Sequence, residues 1–310
     1  MANRSRVLVT GGAGFIGRRV VRALLAEGHE VTVADLRAFP DTAVRSVVGD
    51  LCDAGVPARA VRPGTDVVIH LAAITSVLAS VQDPVSTHRL NVDATARLLE
   101  LARERDVQAF LLASTNAVTG NVGSTVISEQ VVLRPLTPYG ATKAAAEMLL
   151  GAYANCYGMT GTALRFSNVY GPGMGEKDSF IPRLMRAARD DEGVQVRGDG
   201  SMLRDVVHVD DVVQGILTAW QGRHNGPLIL GSGRSVTVNE MVTTARKVTG
   251  APIPAEHVPV GQGEMPAVVL DISAARALGY RPAYDLEAGM ATVWPDFDPK
   301  NPKTPEGVQS

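Results

Sequence analysis

The sequence predicts an α/β protein whose main part is a doubly wound parallel sheet, followed by a smaller C-terminal substrate-binding region. Three observations support this prediction. Strand and helix patterns alternate through the first half of the chain, a glycine-rich turn follows the first strand, and most of the notable residues fall where predicted strands end. Such sheets carry helices on both faces and bind ligands outside the carboxyl ends of their strands.

The alternation is read from the spacing of apolar residues. It predicts strands at 5–10, 30–35, 44–48, 66–71, 108–113 and 161–166, and helices at 14–27, 84–105 and 138–157. After residue 167 the alternation loosens, and we expect helices at 179–190, 210–221, 237–249 and 285–294, with short strands at 194–197 and 227–230.

The first strand ends in a glycine-rich segment that leads into an amphipathic helix. Glycines spaced three apart let the chain turn sharply, approach a pyrophosphate and pack the helix against the strand. The helix N-terminus adds free N–H groups for the anion. This strand–turn–helix context predicts a Rossmann-like dinucleotide site, made by Gly11, Gly14, Phe15, Ile16 and Gly17.

An acidic residue ends the second strand, 18 residues after Gly17. A carboxylate at this position, Asp35, accepts hydrogen bonds from the adenosine ribose and repels a 2′-phosphate, which favours NAD over NADP. Two alternatives stay open: Asp35 could be a solvated strand end, and the nearby Arg37 could accommodate a 2′-phosphate.

Composition excludes several classes of function. The chain has 310 residues, is 45% hydrophobic and 20% charged, and has a formal net charge of −2, which suits a sizeable core and argues against nucleic-acid binding. We find no apolar run of the roughly 20 residues that cross a membrane, and no room for a signal peptide before the first strand. Cys52 and Cys156 lack the spacing of a metal site, and we expect Cys156 in the core. A cytoplasmic enzyme is expected.

A second constellation begins the helix at 138–157. Tyr139 and Lys143 are four residues apart and therefore share one helix face. A lysine ammonium favours the phenolate, so we expect it to lower the pKa of Tyr139, as a bound nicotinamide would. Such a tyrosine can take a proton from a hydroxyl while hydride leaves the same carbon. An ordinary surface pair is the alternative.

Hydroxyl side chains end the strand at 108–113. Ser114 and Thr115, the latter 24 residues before Tyr139, can bond a substrate hydroxyl and relay its proton. Alternatively, one of them caps the turn.

Together these segments make the chain resemble an extended short-chain dehydrogenase/reductase of the nucleotide-sugar epimerase and dehydratase family. The motifs that carry the resemblance occur in family order from residue 6 to about 290: Gly11–Gly17, Gly49-Asp50-Leu51, Leu71-Ala72-Ala73, Ala113-Ser114-Thr115, Tyr139-Gly-Ala-Thr-Lys143, Arg165–Pro172 and Arg204-Asp-Val-Val-His208-Val-Asp-Asp211.

The resemblance implies a role for individual residues. Thr115, Tyr139 and Lys143 would be catalytic, with Tyr139 as the base. NAD would be bound by Asp50 and Leu51 at adenine and by Leu71, Ala72 and Ala73 at ribose and pyrophosphate, with Tyr139 and Lys143. The nucleotide sugar would contact Ser114, Thr115, Asn116, Asn168, Lys177 and Arg204. We expect Asp210 and Asp211 to open a helix, and no metal site.

The pattern of elements and the composition of the last residues predict how the chain is divided, and the resemblance implies how it is assembled. Residues 1–167 would form the NAD-binding domain, 168–294 mainly the substrate region with a return to the first domain left open, and 295–310 a loosely ordered tail. A homodimer through helices 84–105 and 138–157 is expected, although their apolar residues could instead be core.

The reaction follows from what the active-site segment lacks. Similar dehydratases carry an Asp-Glu pair where this chain has Asn116 and Ala117, and similar decarboxylases carry a Glu at the second position. A UDP-sugar 4-epimerase is therefore favoured. Its substrate would be a UDP-hexose or UDP-hexuronate. UDP-glucuronate is slightly preferred because the segment Ala113-Ser-Thr-Asn-Ala-Val118, without the dehydratase acids, resembles that of nucleotide-glucuronate 4-epimerases, and Lys177 could supply a cation for the carboxylate. A dehydratase, a decarboxylase and a non-catalytic NAD-binding regulator remain alternatives, and Lys177 could be an ordinary exposed lysine.

Two positions depart from the family pattern. Thr119 replaces a tyrosine that similar enzymes place near the sugar, and Gly261 replaces an arginine that binds the nucleotide phosphates. Both departures bear on the space and charge around the nucleotide sugar.

Overall fold

The centre of the molecule is a sheet of seven parallel strands. The structure, a computed structural model, describes residues 4–260 and 267–299. The strands lie in the order β10-β6-β5-β4-β1-β2-β3. Their bounds are β1 Arg6–Thr10, β2 Glu30–Asp35, β3 Arg45–Val48, β4 Val67–His70, β5 Ala109–Thr115, β6 Thr160–Phe166 and β10 Gly226–Leu230. The predicted fold class is confirmed.

The inner strands are apolar because both faces of the sheet are covered. Every residue of β4 and β5 is buried, as expected for parallel strands between two helical layers. The strand order reverses between β1 and β4, which pair directly. A crevice forms at such a reversal, outside the carboxyl ends of the strands.

Helices cover the sheet and set the positions of the site residues. They are α1 Phe15–Ala26, α2 Gly55–Ala60, α3 Val77–Gln82, α4 Pro84–His88, α5 Ala94–Glu104, α6 Pro138–Tyr157 and α8 Val209–Gln221. The last begins with Asp210 and Asp211 in its first turn, as predicted, and the His208 ring caps it by accepting from the Asp210 N–H at 3.2 Å.

The predicted helix over 84–105 is interrupted. A π-helical turn over Arg89–Asp93 separates α4 from α5. This turn carries Asn91, whose side chain accepts from Ile74 N at 2.9 Å and donates to Thr142 Oγ1 at 3.1 Å. The wider turn thus lets a buried amide tie the loop after β4 to α6, a use typical of π turns near functional sites.

The second region has its own small sheet and core. Strands β7 Asn168–Tyr170, β9 Leu203–His208 and β11 Ser235–Thr237 form one sheet, and β8 Val194–Arg197 pairs with β12 Ala255–Val258. Helices α7 Phe180–Asp190, α9 Val238–Thr249, α10 Ser273–Ala277 and α11 Leu286–Val293 complete the region. Its apolar core includes Leu184, Met185, Val196 and Met241. Strand β10 lies within this part of the sequence but pairs with β6 in the central sheet.

The structure differs from two expectations, the burial of Cys156 and the start of the loosely ordered tail. Cys156 is exposed on α6, so its assignment to the core was wrong; the apolar spacing there places Ala154 inward instead. The tail predicted from residue 295 begins with a 3₁₀ turn over Trp294–Asp296, and Phe297 is buried. Its remainder from residue 300, like Gly261, lies outside the described residues.

Candidate active site

A cavity of about 510 Å³ opens at the carboxyl ends of the central strands. Every residue predicted to bind the cofactor lines it, although these residues come from five separate segments. They are Gly11, Gly14, Phe15, Ile16, Gly17, Asp35, Asp50, Leu51, Leu71, Ala72, Ala73, Tyr139 and Lys143. Ser114, Phe166 and Lys177 line the same cavity.

The glycine-rich turn is shaped for close backbone approach. Gly11 has a φ of 69°, in the left-handed region, and a Cβ there would lie 2.7 Å from the Ala72 nitrogen. A Cβ on Gly17 would collide with the Gly11 carbonyl oxygen. Helix α1 starts after Gly14, which provides no side-chain cap, so its first N–H groups are left for a ligand. This cradle at a helix N-terminus fits the diphosphate of a dinucleotide.

Asp35 fastens this turn to the end of β2. Its Oδ2 accepts from the Ala13 N–H at 3.0 Å, and its Oδ1 accepts from the Arg37 N–H at 3.2 Å. Asp35 also lines the cavity. It is therefore not simply a solvated strand end.

Tyr139 is held in place at the first turn of α6. Pro138 occupies the first turn, and Thr137 caps it by accepting from the Gly140 N–H at 3.2 Å. The Tyr139 N–H donates to Ser80 Oγ on α3 at 3.1 Å. Ser80 was not predicted from sequence, since it lies 59 residues away with no motif to indicate it.

Thr115 serves two purposes at the end of β5. Its hydroxyl accepts from the Ala117 N–H at 3.2 Å and so caps the following 3₁₀ turn. It also acts on the phenol of Tyr139 and pulls the pKa of that phenol down. The catalytic and the capping interpretations of Thr115 are thus compatible.

Burial dominates the ionisation of the Tyr139–Lys143 pair. It raises the pKa of Tyr139 above the ordinary value, and the interaction with Thr115 offsets this only in part. The expectation of a lowered Tyr139 pKa is thus wrong for the protein by itself. Lys143 is 2% exposed, and burial lowers its own pKa to about 8, while the carboxylate of Glu147 opposes that shift.

The predicted substrate residues fall into two groups. Lys177 is exposed, as the alternative interpretation expected, and also lines the main cavity. Asn168 and Arg204 line a second cavity of about 130 Å³ beside Phe180 and Met241. The Asn168 amide donates to the Asp205 carbonyl at 3.2 Å. Asn168 and Arg204 are far apart in sequence, but they lie on the paired strands β7 and β9.

Ser114, Asn116 and Thr119 are tied into the protein itself. The Ser114 hydroxyl donates to Glu147, although Ser114 still lines the cavity. Asn116 is buried and its Oδ1 lies 3.5 Å from the Thr115 hydroxyl. Thr119, 1% exposed, donates to the Asn116 carbonyl at 2.8 Å.

Neither a metal centre nor a membrane span is found within residues 4–260 and 267–299. In that part of the chain, no cluster of three or more His, Cys, Asp or Glu residues could hold a metal ion. No helix within the same ranges has the length and apolar character to cross a membrane.

Comparison with known proteins agrees with this arrangement. Residues 7–231 match the model of the NAD dependent epimerase/dehydratase family. A dTDP-glucose 4,6-dehydratase of Streptomyces griseus is 36% identical over 307 residues, covering 93% of each chain.

Two solved structures are similar over nearly the whole chain. The UDP-glucose 4-epimerase of Thermus thermophilus in complex with NAD has a TM-score of 0.86 and 32% identity, covering 94% of this chain and 98% of that one. MoeE5 in complex with UDP-glucuronic acid and NAD has a TM-score of 0.86 and 37% identity, with the same coverage. The family match, the identities and the assembled dinucleotide cavity together show that this chain belongs to the NAD-dependent epimerase/dehydratase family.

Proposed function

We propose that this protein is an NAD-dependent 4-epimerase of UDP-sugars and that UDP-glucuronate is its preferred substrate. The observation that carries the proposal is that Tyr139 and Lys143 line the cavity formed by the dinucleotide residues, and that Thr115 acts on the Tyr139 phenol from the end of β5. Similar structures bound to UDP-glucuronic acid or UDP-glucose support the substrate class.

Each catalytic side chain has a task that its position supports. NAD, held by the glycine-rich turn, Asp35 and Leu71 to Ala73, would supply a reversible hydride acceptor. The Tyr139 oxygen takes the proton of the C4 hydroxyl as hydride leaves C4, and gives it back when hydride returns to the other face. Thr115 holds that hydroxyl and the phenol together. The Lys143 ammonium stabilises the phenolate, which burial disfavours.

Epimerisation is favoured over elimination by the side chains beside Thr115. Dehydration across C5 and C6 needs an additional acid and base, and the 3₁₀ turn after Thr115 offers Asn116 and Ala117 instead. Neither can exchange a proton as a carboxyl does. The 36% identity to a dTDP-glucose 4,6-dehydratase makes dehydration the second candidate.

The preference for a hexuronate rests on Lys177. This ammonium lines the same cavity as Tyr139 and Lys143, so a C5 carboxylate of the substrate would have a cationic partner there. Holding the carboxylate at Lys177 would also keep it out of the alignment that expels CO₂ from the keto acid. Asn168 and Arg204 would bind the nucleotide end, because a guanidinium fork matches diphosphate oxygens.

Proton NMR of the substrate tests the whole proposal. The protein is mixed with NAD and, separately, UDP-glucuronate, UDP-glucose or UDP-N-acetylglucosamine in D₂O, and the anomeric protons are followed. We expect the C4-inverted sugar, formed fastest from UDP-glucuronate, with no deuterium on carbon because hydride never leaves the site.

Other products would decide against the proposal. A 4-keto-6-deoxy sugar deuterated at C5 would identify a dehydratase, and a pentose would identify a decarboxylase. No turnover of any of the three sugars, with NAD still bound, would favour a regulator. Faster turnover of UDP-glucose than of UDP-glucuronate would leave epimerisation standing and remove the hexuronate preference.

We further propose a homodimer through the helices at 84–105 and 138–157. Val85 on α4 and Met148 on α6 are 68% and 70% exposed, and because α4 packs against α6 the two helices together offer apolar side chains to a second copy. Light scattering on the wild type and on Met148→Glu tests this assembly. A dimer that Met148→Glu converts to a monomer supports it, and a monomeric wild type refutes it.

A further inference from the structure

A buried carboxylate lies one helical turn beyond Lys143. Glu147 shares the inner face of α6 with Lys143, because residues four apart on a helix are neighbours. Glu147 is 8% exposed and Lys143 is 2% exposed. The two opposite charges therefore lie one helical turn apart in a medium where water screens them poorly.

The same carboxylate binds two of the strands that end at the cavity, β5 and β6. Arg165 on β6 donates from Nε to both Glu147 oxygens at 3.1 Å and from Nη2 to Oε2 at 2.8 Å. Ser114 on β5 donates its hydroxyl to Oε1. Ser114 and Arg165 are directly opposite each other in the β5–β6 register. The Glu147 side chain therefore connects α6 to β5 and β6 at the same height along the two strands.

The Glu147 contacts lie next to the catalytic residues. Ser114 immediately precedes Thr115, and Arg165 immediately precedes Phe166, which lines the cavity. Lys143 lies one turn toward the N-terminus of α6. A shift of Glu147 would therefore move Thr115 relative to Tyr139 and change the charge that Lys143 experiences.

We propose that Glu147, clamped by Arg165 and Ser114, is a positioning residue that keeps Lys143 protonated and fixes the end of β5 that carries Thr115. The proposal rests on the proposed function for its catalytic consequence. The electrostatic half can be tested without turnover.

Among the residues that the structure describes, Glu147 is the carboxylate that acts on Lys143. Burial pulls the pKa of Lys143 down to about 8, and Glu147 pulls it up. His70 on β4 stays neutral, since burial and Lys143 lower its pKa to about 3. Strand β5 and helix α3 contain no ionisable side chain.

The charged residues of the neighbouring helices are exposed or distant from Lys143. His88, Arg89 and Asp93, on α4 and the π turn, are exposed. Glu100 on α5 meets α6 at Tyr153, ten residues beyond Lys143.

Titration of Lys143 by NMR is the direct experiment. The chain has only five lysines, at 143, 177, 247, 300 and 303, so protein labelled with ¹³Cε-lysine gives a spectrum in which Lys143 is assigned by its loss in Lys143→Arg. We expect Glu147→Gln to lower the titration midpoint of Lys143 by roughly one pH unit or more, because an opposite charge at this range shifts a neighbour by that order. Glu147→Asp keeps the charge and should keep most of the midpoint.

A matched control removes another carboxylate that contacts the same helix. Glu100 accepts from the Tyr153 hydroxyl of α6 at 3.0 Å, so Glu100→Gln deletes a comparable contact and should leave the Lys143 midpoint unchanged. An unchanged midpoint in folded Glu147→Gln, or an equal shift in Glu100→Gln, overturns the proposal.

A second variant covers the case in which Glu147→Gln does not fold. Replacing both partners, in Glu147→Gln with Arg165→Met, avoids a lone buried charge and is usually tolerated. The Lys143 midpoint should still fall, by less, because the repulsion from Arg165 disappears as well. No fall in this variant also overturns the proposal.

The pH profile of kcat/KM separates an effect on Lys143 from a general loosening of the active-site structure. In Glu147→Gln the alkaline limb of the kcat/KM profile should move to lower pH with Lys143, whereas a loosened structure would lower kcat at every pH without moving the limb. If the wild type turns over none of the three sugars, the proposed function fails while the Lys143 titration still decides the electrostatic claim.

Discussion

The carboxylate of Asp35, at the end of β2, accepts a 3.0 Å hydrogen bond from the backbone N–H of Ala13 in the glycine-rich turn. The residue predicted to select the cofactor therefore also holds the turn that would receive its diphosphate. One strand end thus organises two parts of the dinucleotide cavity.

Asp35→Ala should weaken NAD binding by about ten- to a hundredfold, since hydrogen bonds to a charged group contribute roughly 1.5–3 kcal/mol. The preference for NAD over NADP should shrink as well, because the repulsion of a 2′-phosphate disappears. Titration calorimetry with both dinucleotides measures this. Asp41→Ala is the control, since Asp41 also accepts a local backbone N–H, from Ala43 at 2.9 Å, but does not line the cavity. Unchanged NAD affinity in Asp35→Ala would contradict the role of Asp35.

Tyr139→Phe should retain NAD binding and lose turnover by about 10²- to 10⁴-fold, the usual contribution of a positioned acid–base group. The backbone bond from Tyr139 N–H to Ser80 is kept in this variant, so the helix start should not move. Stopped assays of the epimerised sugar, together with NAD titration, measure both quantities. Tyr157→Phe, which alters an exposed phenol on the same helix, is the matched control. Full activity in Tyr139→Phe would rule out the assigned base.

Lys177→Met should raise KM for UDP-glucuronate about two- to fivefold more than KM for UDP-glucose. The two sugars differ in the C5 carboxylate, and an exposed ion pair contributes up to about 1 kcal/mol. The control is Lys247→Met, because Lys247 is an exposed lysine paired with Glu287 at 2.6 Å, away from the cavity. Equal changes in KM for the two sugars would show that Lys177 does not recognise the carboxylate.

Buried His70 should make the protein sensitive to acid. Its ring contacts the hydroxyls of Thr10 at 2.6 Å and Thr95 at 2.9 Å, and burial lowers its pKa from 6.5 to about 3. Between pH 6.5 and 3, His70 is protonated in the unfolded chain but neutral in the folded protein. The free energy of unfolding should therefore fall by about 1.4 kcal/mol for each pH unit between 6.5 and 3, and His70 has no such effect at higher pH.

Urea unfolding at pH 7 and pH 5 checks this contribution. His70→Gln should be less stable at pH 7 but lose less stability on acidification than the wild type. His88→Gln, which changes an exposed histidine, should leave the pH dependence unaltered. An equal loss in His70→Gln and wild type would show that His70 is not the sensitive group.

Much of the site could be predicted because its signals are local. The turn at Gly11–Gly17 follows from the spacing of residues with special backbone freedom, and the pairing of Tyr139 with Lys143 follows from helix geometry. The cavity lining confirms that these segments meet. Ser80, Glu147 and Arg165 could not be found in the same way, since each acts through a partner that is distant in sequence or on another element.

The sequence by itself determined the fold class, the alternation of strands and helices, and the chemistry available at the carboxyl ends of the strands, because these depend on residue type and short-range spacing. Tertiary structure alone decided that β10 returns to the central sheet, that the Ser114 hydroxyl serves Glu147, and that the pKa of Tyr139 is raised rather than lowered. The physical reason is that burial and long-range contacts set both the partners of a side chain and the cost of its charge. Neither quantity can be read from the distance between two residues along the chain.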